Sequence, residues 1–103
     1  MTTVTKASIE AKIRNVYYIN AGAAVQASDQ GYNERDLEEL NLVTICIIIL
    51  ENGFKVEGTS ACVDPSRYNE AIGQEEAYKN AFDKIWEKEG YLLKQQLHEA
   101  NQK

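Results

Sequence analysis

The stretch Leu42–Cys62 restricts the possible folds of this chain more than any other. It reads L-V-T-I-C-I-I-I-L, then E-N-G-F, then K-V-E-G-T-S-A-C. β-branched residues dominate the first run, and their restricted χ1 suits a pleated surface. Asn52-Gly53 between two such runs tolerates the positive φ values of a type I′ turn, which predicts a β-hairpin with a two-residue loop. That loop places Glu51 opposite Phe54, Ile49 opposite Val56, Ile47 opposite Gly58, Ile45 opposite Ser60 and Val43 opposite Cys62. One face would carry Val43, Ile45, Ile47, Ile49, Phe54, Val56 and Cys62. The other would set Leu42, Cys46, Ile48 and Leu50 against Lys55, Glu57 and Thr59. The first strand is thus apolar on both faces, as in strands inside a sheet or beneath a second layer. In a chain of 103 residues, another copy of the protein could provide that layer.

Residues 1–103 make one domain, with a helix and loop in 1–41, the hairpin in 42–63 and helices in 64–103. Hydrophobic residues at 44% and a single proline predict a folded globule. The net charge of −5 disfavours broad binding to duplex nucleic acid, while leaving room for one small anionic ligand held by a few local cations. No run approaches the roughly 20 apolar residues of a membrane span, and no signal-peptide pattern opens the chain. Two cysteines without CxxC spacing point to reduced thiols rather than zinc. In the register above they face opposite ways, so no bridge is expected between them.

Along the chain, Ile9, Ile13, Val16 and Tyr17 follow a helical period, predicting a helix over 7–18 with Thr5 or Ser8 as cap. Asn20–Gly31 is small, polar and aperiodic, and reads as a loop. Tyr32–Leu40 predicts one or two helical turns. Asp64-Pro65 is a helix start, with a carboxylate to cap amides and proline at the first position. Gly73 is expected to break that turn. Tyr78, Ala81, Phe82, Ile85, Leu92, Leu93 and Leu97 form one stripe of a last helix, interrupted at Gly90. The fold class is therefore α+β: a small antiparallel sheet built on a central β-hairpin, with N-terminal and C-terminal helices packed on it.

Catalytic patterns are sparse. His98, the only histidine, lies among Gln, Glu and Asn without a positioned partner, and the glycines make neither a P-loop nor GxGxxG. Neither an enzyme nor a cofactor or metal is expected. Binding groups are more plentiful. Asp64, Ser66, Arg67 and Tyr68 crowd a strand-to-helix junction, where amides and the helix dipole favour anions. Phe54 stands at the hairpin tip, able to stack on a base. Arg14, Tyr17 and Tyr18 add a cation and two rings, and Lys79, Asn80 and Lys84 lie along the last helix. Rings with a few cations and amides suit a nucleotide-like ligand.

Four strings in the second half of the chain carry a resemblance: N-G-F (Asn52–Phe54), S-A-C-V-D-P (Ser60–Pro65), Y-N-E-x-I-G (Tyr68–Gly73) and K-I-W-x-x-E-G-Y-L-L (Lys84–Leu93). They resemble a family of small phage proteins grouped with reading frames of phages N-four and Sf-six. One branch, the Thoeris anti-defence type one sponges, binds a cyclic ADP-ribose isomer made by a bacterial TIR-domain enzyme and holds it intact, so the defence effector stays off. Related sponges take cyclic di- or trinucleotides. The resemblance implies a cytoplasmic protein of the infected bacterial cell, a homodimer that can assemble to a hexamer, and a ligand between subunits. It implies that Arg14 and Arg67 neutralise the diphosphate, Phe54 and Tyr68 pack on adenine or ribose, and Asp64 and Asn80 hydrogen-bond the ligand. Lys79 and Lys84 stand where the family would offer arginine, a substitution of a point charge for a planar fork. The rival reading is an acidic protein that inhibits a host nuclease or defence complex by direct protein–protein binding, through Glu34–Glu39 and Glu70–Glu76.

Overall fold

The computed structural model describes residues 3–102. The elements are α1 (Lys6–Glu10), β1 (Ile13–Asn20), α2 (Ala21–Ala27), α3 (Glu34–Leu40), β2 (Val43–Leu50), β3 (Lys55–Ala61), a 3₁₀ turn (Pro65–Arg67) and α4 (Glu70–Ala100). The three strands form one antiparallel sheet in the order β1-β2-β3, and the α+β class holds.

The helix predicted over 7–18 is corrected: helix ends at Glu10, and Ile13–Asn20 is a strand. Thr5 does cap α1, through a reciprocal pair of hydrogen bonds with Ser8. Beyond Glu10, however, V-Y-Y-I is rich in strand formers. The free edge of β2 gives them partners, with Val16 opposite Ile48 and Tyr18 opposite Cys46. The loop expected over 20–31 is also corrected. Asn20 accepts a hydrogen bond from the Ala23 amide (3.0 Å), and the alanine-rich segment behind it winds into α2.

The hairpin is present, but its register is one residue away from the expected one. Val56 lies opposite Ile48, Gly58 opposite Cys46 and Ser60 opposite Thr44. A type I′ turn needs positive φ at both central residues, and here only Gly53 has it (φ 86°). Glu51, Asn52 and Gly53 form a three-residue loop instead, closed by Leu50 N–H to Phe54 O (2.8 Å) and Gly53 N–H to Leu50 O (2.9 Å). Because β2 is apolar on both faces, its pattern could not choose between the two registers. The slip also removes the face argument that separated the cysteines. Position along the ladder separates them now, since Cys46 pairs with Gly58 while the Cys62 amide bonds Leu42 O; both are free.

α4 lies across one face of the sheet. Ala77, Ala81, Phe82 and Ile85, spaced to share one side of the helix, bury Cys46, Ile48 and Val56, with Ile9 closing one end. Gly58 lets the backbones meet: a Cβ there would sit 2.2 Å from Ala81 N and 2.4 Å from Ala77 O. Contrary to expectation, Gly73 does not break a turn. It lies inside α4, where a Cβ would come within 2.8 Å of Thr44 Oγ1. Gly90 has open space around it, and nothing in the structure explains it. Past Ile85 the stripe loses its cover, and Leu92 and Leu97 are about half exposed.

Gly58→Ala is expected to lower stability by roughly 2–3 kcal/mol through overpacking against backbone that cannot yield, or about 10 °C or more in Tm. Gly90→Ala should act the other way, adding up to about 1 kcal/mol. Urea unfolding of the two variants beside the parent checks both signs.

Candidate functional site

The turn after β3 builds one of several concavities on the surface. Asp64 Oδ1 accepts from the Ser66 amide (3.0 Å) and Ser66 Oγ (2.8 Å), which folds Pro65–Arg67 into its single turn. Asn69 then caps α4 by accepting from the Ile72 amide (3.1 Å), and Ser60 Oγ donates to Gly73 O (2.7 Å), tying β3 to the first turn of the helix. Between these ties lies a cavity of about 200 Å³ lined by Leu42, Ser60, Cys62, Arg67, Tyr68, Ile72 and Glu76, among others. Its floor is apolar, and the charged groups Arg67 and Glu76 belong to its wall. Tyr68 also lines a second, smaller cavity of about 40 Å³, with Tyr18, Asn20, Thr44, Glu70 and Gln74. The Tyr68 hydroxyl is 3.4 Å from Asn20 Nδ2. One ring therefore separates two recesses.

The amides expected to attract an anion here are partly used. Asp64 takes the Ser66 amide and Asn69 that of Ile72. The exposed cation of the turn is Arg67, whose side chain is 85% exposed and only loosely paired, Nε lying 3.7 Å from Asp64 Oδ2. A surface pair at that distance is worth little, so Asp64 holds the guanidinium only weakly.

Of the residues singled out in the sequence, Asp64, Ser66, Arg67 and Tyr68 stand together. Phe54 does not join them: it lies at the far end of β3, seven residues or roughly 23 Å of strand away. There the Lys88 ammonium sits 5.6 Å from its ring centroid, and Phe54 is half exposed. Arg14 lies at the same end, beside the irregular step between Ile13 and Asn15 opposite the end of β2. Tyr17 is on the sheet face turned away from α4, with its hydroxyl accepting from Asn15 Nδ2 (3.1 Å). Asn80 donates to Thr59 O (2.8 Å) and Lys84 pairs with Glu57 (3.1 Å), so these two guard the outer edge of β3; Lys79 beside them is exposed. Sequence reasoning missed Asn20, at the end of β1, and Ile72 and Glu76, one turn apart on α4. For Ile72 the string Y-N-E-x-I-G was the available signal. Among the described residues, no group of three or more His, Cys, Asp or Glu could hold a metal ion.

A family model matches residues 4–97, nearly the whole length. The chain belongs to the phage protein (N4 Gp49/phage Sf6 gene 66) family. Neither the curated proteins nor the solved structures give a match. Family membership spans the sheet, the turn and α4 up to Leu97, so the cavity lies wholly inside the shared region. No helix among the described residues is long and apolar enough to cross a membrane.

Burial raises the Tyr18 hydroxyl above its ordinary value of 10.0, with the neighbouring Cys46 and Tyr78 adding to the effect. Burial likewise raises Tyr78, helped by Glu10 and Cys46, and it raises the Cys46 thiol above 9.0. Each group is thus harder to ionise folded than unfolded. Its contribution to stability is present below the unfolded value and lost as pH rises through the folded one. The urea midpoint should fall as the pH climbs above about 9, and Tyr78→Phe should flatten the decline.

Proposed function

We propose that this phage protein is a sponge that binds a cyclic nucleotide immune signal and withholds it intact from a host defence effector. The ligand that the resemblance favours is a glyco-cyclic ADP-ribose isomer of the Thoeris system, with cyclic di- or trinucleotides as further candidates. The observation that carries the reading is the cavity beside Tyr68, where an apolar floor, an aromatic wall and a loosely paired guanidinium meet. At about 200 Å³ it is below the ~300 Å³ at which pockets for whole small molecules begin, and it suits one base or ribose. In this proposal the base stacks on Tyr68 and Arg67 swings from Asp64 to the diphosphate, a charge-assisted bond. Asp64 and Ser66 then offer hydrogen bonds to hydroxyls, and Glu76 can accept from an exocyclic amine. Phe54, Arg14 and Tyr17 lie too far along the sheet to reach the same ligand within one chain, and would touch it only from a neighbouring copy. Sequestration demands slow release more than fast capture.

Incubating the purified protein with the cyclic ADP-ribose isomer, filtering, and heat-denaturing the retained fraction tests this directly. Intact signal should be recovered; a cleaved product would make the protein an enzyme. Arg67→Ala should weaken retention roughly 10- to 100-fold, the loss of a hydrogen bond to a charged group, and Tyr68→Ala should do comparably. Unchanged retention in both variants would remove the ligand from this cavity.

A second reading rests on α3, where Glu34, Asp36, Glu38 and Glu39 are all exposed. There the protein would block a host nuclease or defence complex by mimicking nucleic acid charge. Under that reading cyclic nucleotides leave the melting temperature unchanged, and reversing charges on α3 abolishes the inhibition.

A further inference from the structure

At the end of the sheet away from Tyr68, α4 runs on past Ile85, and Glu89, Leu92, Leu93 and Gln96 recur at i, i+3, i+4 and i+7, so they share one side of the helix. Two recesses open along that side. The first, of about 230 Å³, lies against the N-terminal segment and is lined by Val4, Ser8, Leu93 and Gln96. The second, of about 310 Å³, lies against the hairpin loop and is lined by Leu50, Glu51 and Asn52. Lys12, Glu89 and Leu92 line both. These shared residues include an ion pair, Lys12 Nζ with Glu89 Oε1. The Lys12 backbone is held on both sides, its N–H donating to Ile9 O (2.9 Å) and its O accepting from the Glu51 amide (2.8 Å), which leaves the pair to open at the side chain. The carboxylate is the enclosed partner: the Glu89 side chain is 16% exposed, against 50% for Lys12.

We propose that these two recesses are a binding site for a linear aliphatic diamine, whose ammonium groups pair with Glu89 and Glu51 while its methylenes lie against Leu50 and Leu92. The site is separated from the Tyr68 cavity by the length of β1, roughly 26 Å, and the proposal does not rest on the ligand reading made there. The protein displays the chemistry itself. Lys12 already sets a primary ammonium on a methylene stem beside Glu89, so the carboxylate takes the group that the ligand would carry. A carboxylate this enclosed tolerates the loss of its cation only when another replaces it, which rules out an anion or an apolar guest in that place. Lys12, half exposed, returns to water at little cost. The charges lining the second recess do not balance. Glu51 and Glu89 stand against Lys12 alone, and among the described residues Glu51 has no cationic partner. One further positive charge fits there, and the net charge of −5 draws it in. Two ammonium groups satisfy both carboxylates where Lys12 satisfies one, and that difference drives the exchange. With Lys12 turned aside the recesses join in one trough, above the ~300 Å³ at which small-molecule pockets begin.

The test is isothermal titration calorimetry on the full chain with 1,5-diaminopentane and with spermidine. The parent should bind at least one of them saturably with a dissociation constant below roughly 5 mM. Glu89→Gln, which keeps the shape and removes the charge, should weaken binding about tenfold or more. Glu51→Gln, at an exposed loop position, should weaken it about threefold or more, and it carries the test if Glu89→Gln fails to fold. Lys12→Met should act in the opposite direction, strengthening binding about threefold or more, because it removes the resident ammonium and keeps the stem. Lys94→Met makes the same change of net charge at an exposed position of α4 outside both recesses and should leave binding unchanged. A parent without saturable binding to either probe up to roughly 20 mM overturns the proposal. So does binding that Glu89→Gln or Glu51→Gln leaves intact, or that Lys12→Met fails to strengthen. A gain in Lys94→Met equal to that in Lys12→Met also overturns it, since net charge rather than a built site would then attract the amine.

Discussion

The close approach of α4 to β3 at Gly58 governs the rest of the molecule. With no side chain there, the Ala77–Ala81 stretch of the helix comes down onto the strand backbone, and Phe82 and Ile85 reach past it to Cys46 and Ile48. Only the even-numbered series of β2 can meet α4 in this arrangement, so the contact also decides which isoleucines are inside. The three-residue loop at Glu51–Gly53 supplies the matching register. Helix packing, register and turn are one constraint seen from three places.

Legibility in the sequence followed how local each signal was. The hairpin, the short helix α3, the Asp64-Pro65 turn and the long last helix each declare themselves within a few residues. β1 does not, because Ile9, Ile13, Val16 and Tyr17 happen to fit a helical period while V-Y-Y-I satisfies a strand equally well. Only the waiting edge of β2 decides between them, and that is a tertiary fact. The register escaped for a related reason. A strand apolar on both sides carries no alternation to align, so the loop length was the sole guide, and Asn52-Gly53 also serves a longer loop.

The same rule divides the candidate site. Asp64, Ser66, Arg67 and Tyr68 are neighbours in sequence and remain neighbours in space. Phe54 and Arg14 were grouped with them by chemical type, yet a whole strand length intervenes. Asn80 and Lys84, chosen as polar groups on a helix, turn out to hold that helix to the edge of β3. Asn20 and Glu76, which line the recesses on either side of Tyr68, come from a strand end and a mid-helix position, and no local pattern marks them.

The two thiols differ in how completely the fold covers them. Cys46 is sealed between helix and sheet, whereas Cys62 opens onto the cavity wall. A thiol reagent therefore meets them on separate clocks. Cys62, partly exposed, reacts at the pace of the native surface. Cys46 reacts only when α4 lifts away, so its labelling rate measures how often the two layers part.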